Sequence, residues 1–230
     1  MLNLILFNDS LSSKDAILIF LISVAVYFLS LTLHEFAHGF VAYKMGDNTP
    51  KVMGRLSLNP FRHLDPMGFL FFLIFGIGWA KPMPVNPLKF KKYRLGIRLT
   101  SIAGVLVNLA LGLFAAVATA VLFATLGFEL AIMNLEYLIL VLKYIMIVNG
   151  FLFMFNILPI YPMDGFNFVT SFMKTDNKFI RYNLKNGFKI ILTVLIVSAL
   201  FDVMFNFDIF NAYLSLLYDY VFSPIVRLGV

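Results

Sequence analysis

Residues 29–46 read LSLTLHEFAHGFVAYKMG. Two histidines and a glutamate stand inside an apolar run that starts at Ala16 and meets no other charge before Lys44. A run of that length is a membrane span, since about 20 helical residues cross about 30 Å of hydrocarbon. Lipid penalises ionisable groups by several kcal/mol, so those found inside a span are functional candidates. The stretch therefore poses the fold and the chemistry together.

Working outward, segments 99–127 and 137–160 are also long enough to span, and 188–206 and 209–226 supply a fourth and a fifth crossing. The composition agrees: 61% of the 230 residues are hydrophobic and 13% charged, with a mean hydropathy of +0.90. The expected fold is an all-α polytopic membrane protein with about five to six membrane helices. It forms a single membrane-embedded domain over 1–230, with a core at about 16–170 and C-terminal helices at about 188–227. The N-terminus, MLNLILFNDSLSSKDA, lacks the basic region and small-residue cleavage site of a signal peptide.

The net charge is +6, and 16 of the 18 Lys and Arg residues cluster after the first span, before the second, in the loop following residue 165 and near the end. The positive-inside rule places those clusters on the cytoplasmic side. The charge is thus ordinary topology, with no nucleic-acid signal in it.

Residues 67–80, MGFLFFLIFGIGWA, have basic flanks on both sides and are too short to cross. A re-entrant segment or short covered helix keeps every basic cluster on one side, provided other protein shields it from lipid. Around it, TPKVMGRLSLNP (49–60) and AKPMPVNPLKF (80–90) carry prolines that exclude a continuous helix. Extended or hairpin structure is expected there.

Positions i and i+4 of a helix share a face, so His34 and His38 can turn their nitrogens to one ion, with Glu35 beside them. This is the HExxH arrangement, in which two imidazoles hold Zn²⁺ and the glutamate takes a proton from metal-bound water. The chain has no cysteine, so any transition-metal site must use His, Asp or Glu. With Lys44 at the inner surface, His38 lies about 9 Å and His34 about 15 Å along the helix axis from it.

A catalytic zinc takes three protein ligands and a water. FNILPIYPMDGFNF (155–168) brings Asp164 to the cytoplasmic end of the third long span, where Pro159 and Pro162 break the helix. From spacing alone Asp164 is either the third ligand or part of a polar turn, because Asp-Gly is a common turn pair. His63, in RHLDP, lacks helical spacing to the other two histidines and reads as a loop-structuring residue. Asn156 and Asn108 are amides in apolar helices. Each can donate to a substrate carbonyl or oxyanion, or make a packing hydrogen bond.

HEFAH, NPFRHLDPMG, GWAKPMPVNP, SIAGVLVN and NILPIYPMDG, in that order across about 30–168, resemble the site-2 protease family of intramembrane zinc metalloproteases. The resemblance is to compact members without PDZ or CBS domains. It implies one zinc per chain held by His34, His38 and Asp164, with Glu35 catalytic. It also implies an asparagine near the site at Asn156, and strands that clamp an unwound substrate, supplied here by 49–60 or 80–90. Two residues depart from the family pattern: Met163 stands for leucine, and Val105 for proline.

The resulting expectation is a zinc-dependent intramembrane endopeptidase that cleaves transmembrane protein substrates by Glu-assisted attack of zinc-bound water. It would sit among lipid in a prokaryotic cell membrane, with its active site toward the cytoplasm and a homodimer left open. The alternatives are a divalent-metal transporter, for which one isolated site offers no conduction path, and a non-catalytic scaffold.

Overall fold

The computed structural model describes residues 12–75, 78–174, 177–205 and 208–230. Its helices, in chain order, are α1 (Ser13–Lys44), α2 (Thr49–Val52), α3 (Pro66–Phe75), α4 (Tyr93–Leu126), α5 (Phe128–Asn156), α6 (Asp164–Thr170), α7 (Lys178–Phe205), α8 (Ile209–Leu217) and α9 (Ser223–Arg227). Among the described residues, α1, α4, α5 and α7 are long and apolar enough to cross a membrane. The protein is an all-α polytopic membrane protein. Most of the N-terminal stretch read against a signal peptide, residues 1–11, lies outside the described residues.

Helix α1 starts where Ser12 caps it, its Oγ accepting from the Asp15 amide at 3.2 Å, and an N-cap of this kind satisfies one of the orphan donors of the first turn. It stops at Lys44, and Gly46 follows at φ 112°, a conformation that favours glycine. Helices α4 and α5 form a hairpin through Gly127. The face that α4 buries is small: Ala103, Gly104, Gly112, Ala115 and Ala116. Small residues let backbones approach closely where lipid gives no hydrophobic drive to association. Leu135 breaks the helical geometry of α5 at φ −126°, ψ 25°, so the apolar run expected from 137 begins just beyond the kink. The helix ends at Asn156 rather than 160, before Pro159.

The two ends of the short apolar segment at 67–80 come together. Helix α3 has ten residues. The Lys81 amide then donates to the His63 carbonyl at 2.8 Å, beside the isolated antiparallel bridge from Leu64 to Ala80. Both ends of the segment thus lie side by side. A Cβ on Gly68 would strike the Trp79 carbonyl and one on Gly78 the Gly68 carbonyl, so the two arms meet backbone to backbone. Residues 76 and 77 lie outside the described residues. Phe72 is buried against Tyr27 of α1, the rings stacked at 4.0 Å, and Tyr27 Oη accepts from the Gly78 amide at 3.1 Å.

The hairpin expected over 49–60 and 80–90 takes another form. Thr49–Val52 is a helical turn, with proline at its second position where a missing N–H costs nothing. Asn59 caps a 3₁₀ turn over Pro60–Arg62. Residues 81–86 run without a helix or a paired strand. Prolines at 82, 84 and 87 remove the donors a ladder needs, and the first arm turns where it was expected to extend. The fifth expected crossing, 209–226, is helical but interrupted. A π turn at Tyr218–Phe222 joins α8 to α9, and Phe222 is fully buried at Gly112 of α4.

Candidate metal centre

Helix α1 turns His34 and His38 to one side, as i and i+4 require, and their Nε2 atoms lie 3.0 Å apart. Pro159 and Pro162 carry the chain off the end of α5, and Asp164 opens α6. Its Oδ2 lies 3.2 Å from His34 Nε2 and 3.1 Å from His38 Nε2. Asp164 is therefore not merely part of a turn: it stands against both imidazoles.

The partners on the far sides of the rings decide the chemistry. His34 Nδ1 lies 2.5 Å from Asn108 Oδ1, and His38 Nδ1 lies 2.7 Å from the Thr100 carbonyl. Oxygens of these kinds accept and do not donate, so each Nδ1 carries a proton, and in the neutral imidazole each Nε2 keeps a lone pair. Asp164 Oδ2 is buried, with no hydrogen-bond donor. Three electron-rich atoms thus crowd one point, and a cation is what such a group accommodates. A tetrahedral zinc with bonds of about 2.0–2.1 Å holds its ligands about 3.3–3.4 Å apart, close to the separations here. The residues present fit zinc.

Helix α4 makes room for the rings. A Cβ on Gly104 would lie 2.5 Å from His38 Nε2 and 2.6 Å from His34 Cε1. Glu35 points into the same cleft, of about 640 Å³, which His34, His38, Met83, Asn156 and Asp164 also line. Its Oε2 accepts from the Met83 amide at 2.6 Å.

The two asparagines part company. Asn156 lines the cleft, and its amide nitrogen donates to the Leu152 carbonyl at 2.9 Å. Asn108 is fully buried behind His34. Its own amide nitrogen donates to Asn149, so it faces away from a substrate. His63 is a loop residue: its Nε2 donates to the Ser57 carbonyl at 2.7 Å. Sequence reading missed Asn149, Gly104 and Met83. Asn149, a polar residue inside an apolar helix, carried a legible signal; Met83 contributes a backbone N–H and carried none.

The chain is 44% identical over 146 residues to "Putative zinc metalloprotease YwhC" of Bacillus subtilis, covering 64% of this chain and 66% of that protein. It is 35% identical over 113 residues to "Putative zinc metalloprotease Rip2" of Mycobacterium tuberculosis, covering 46% and 42%. With the Rip2 of Mycolicibacterium smegmatis it shares 27% identity over 226 residues, 91% of this chain and 81% of the other. The alignments with the first two thus span just under two thirds and under half of those relatives' lengths. No family model and no solved structure matches the chain.

Proposed function

We propose a function from one premise: this chain belongs to the site-2 protease family of zinc metalloproteases. It is an intramembrane endopeptidase that hydrolyses peptide bonds in or near the membrane-spanning segments of other proteins. The convergence of His34, His38 and Asp164 beside Glu35, within one cleft, carries this reading.

His34, His38 and Asp164 hold the zinc. When bound, zinc acts as a Lewis acid toward a carbonyl and acidifies water. Asn108 and the Thr100 carbonyl keep both imidazoles in the tautomer that leaves Nε2 free. Glu35 receives the proton of the attacking water and passes it to the departing amide nitrogen, so that water adds across the peptide bond. The Met83 amide pins Glu35 Oε2 and fixes the plane of the carboxylate. Asn156 spends one amide hydrogen on the Leu152 carbonyl and has a second for the substrate carbonyl.

A helix hides its peptide bonds in its own hydrogen bonds, so a substrate must unwind and find other backbone partners. Residues 81–86, which form no helix or paired strand, offer carbonyl acceptors for that role rather than N–H donors, whereas Val52 sits at the end of a helical turn. The distribution of basic residues supports a cleft on the cytoplasmic side, and the bacterial relatives support a prokaryotic cell membrane.

The experiment is reconstitution of the full chain in lipid vesicles with a panel of single-span proteins, beside Glu35→Gln. Wild type cleaves a member of the panel, and the variant keeps its zinc and cleaves none. Cleavage by Glu35→Gln at the wild-type rate overturns the assignment. Metal flux across vesicles without proteolysis replaces it with transport.

A further inference from the structure

A polar chain crosses three helices behind His34. His34 Nδ1 faces Asn108 Oδ1 on α4; Asn108 Nδ2 donates to Asn149 Oδ1 on α5 at 2.8 Å; Asn149 Nδ2 donates to Ser30 Oγ on α1 at 2.9 Å. Ser30 is one turn before His34, so the chain closes on the helix it left. Asn108 and Asn149 are fully buried, and Ser30 and His34 nearly so.

The chain has a direction, and one atom sets it. Asn149 Nδ2 also donates to the Ile145 carbonyl of its own helix at 2.9 Å. A backbone carbonyl only accepts, so the nitrogen end of the Asn149 amide must lie there. Its oxygen then faces Asn108, which must answer with its own nitrogen. That turns Asn108 Oδ1 to His34, and the ring must present a proton on Nδ1. The lone pair is left on Nε2, facing Asp164 and His38. Flipping any one amide would set two donors or two acceptors against each other in a dry interior, where an unmet polar group costs about 1–3 kcal/mol.

We infer that Asn149 is a positioning residue for the metal centre: through Asn108, it fixes the tautomer in which His34 can bind zinc. The inference rests on the zinc reading above. The Ile145 carbonyl suffices to orient Asn149, so Ser30 is dispensable.

The test compares zinc affinities of the full chain in detergent, by competition with a chromophoric chelator. Asn149→Leu lets Asn108 turn its nitrogen to His34 and binds zinc about 10- to 100-fold more weakly, the usual cost of losing such an outer partner. Ser30→Ala binds as wild type does. Should Asn149→Leu fail to fold, the smaller Asn149→Ala takes its place, since it too removes the acceptor that faces Asn108, and weakens zinc by the same factor. In the zinc-loaded protein, the ¹⁵N spectrum of the imidazoles shows a protonated Nδ1 for His34 in every variant that keeps tight binding. Zinc affinity unchanged in Asn149→Leu, or in Asn149→Ala where that variant replaces it, overturns the inference and leaves the zinc reading intact. An equal loss in Ser30→Ala also overturns it, because the effect would then be packing. A wild type that takes up no zinc overturns both.

Discussion

His38 Nε2 lies 3.1 Å from Asp164 Oδ2, although one residue sits in the first helix and the other beyond the third membrane span. With the imidazole neutral the contact joins two acceptor atoms, and the proposed zinc reconciles them. Asp164→Ala is expected to lower zinc to well under one ion per chain, as measured by metal analysis of purified protein, with helical content by circular dichroism unchanged. Full zinc occupancy in that variant would remove Asp164 from the ligand set.

Gly104 offers a test that touches no ligand. A methyl group there would press on both imidazoles, and α4 cannot yield without disturbing its small-residue contacts with the helices beside it. Gly104→Ala should therefore lose zinc affinity by at least about tenfold, an estimate taken from outer-sphere substitutions. Isothermal titration with zinc checks this against the wild-type chain.

Met83 supplies its backbone N–H to Glu35. Met83→Pro deletes that donor within a segment that already carries prolines at 82 and 84. Zinc should stay bound while cleavage falls by about 10- to 100-fold, the worth of a charge-assisted hydrogen bond of about 1.5–3 kcal/mol. Parallel zinc and cleavage assays on one preparation separate the two effects.

The arms of the 67–80 segment meet at Gly68 and Gly78. Gly68→Val should force them apart and release the Lys81 amide from the His63 carbonyl. Hydrogen exchange at Lys81 would speed up by about tenfold, matching the loss of a bond worth about 1–1.5 kcal/mol. Unchanged protection at Lys81 would show that the arms do not depend on this contact.

Asp47 clasps the loops beneath the cleft. Its Oδ1 accepts from the Thr49 amide at 2.9 Å and its Oδ2 from the Asn86 amide at 2.6 Å. Burial pushes the carboxyl up, but hydrogen bonds from Thr49 and Asn86, with the Lys89 charge, win and hold it below the ordinary carboxylate range. A depressed folded-state value stabilises the protein above the unfolded value of about 3.9. That contribution disappears as pH falls through the folded value. Protection of the Asn86 amide should thus persist at neutral pH and fade below about pH 4, and Asp47→Ala should lack it throughout. Exchange rates measured across pH check both.

Much of the site was legible because helix periodicity is local. His34 and His38 must share a face wherever α1 packs, and the prolines after Asn156 must end α5 before Asp164. Charge on its flanks and its length suggested that 67–80 does not cross, and its two ends do lie side by side. Asn108 was not legible in the same way. Its residue type permitted either a substrate contact or a packing bond, and only the rotation of α4 against α1 and α5 decides which.

Sequence alone therefore determined that the chain is a bundle of membrane helices carrying the paired histidines, the glutamate and a carboxylate at a helix end. Hydropathy and i, i+4 spacing act within one segment and need no partner. The tertiary structure decided which acceptor stands behind each imidazole, that Asn149 and Ile145 orient Asn108, and that a backbone amide at Met83 meets Glu35. Those contacts depend on how small residues let three helices close on one another, and that sum of weak packing terms is written in no single stretch of the chain.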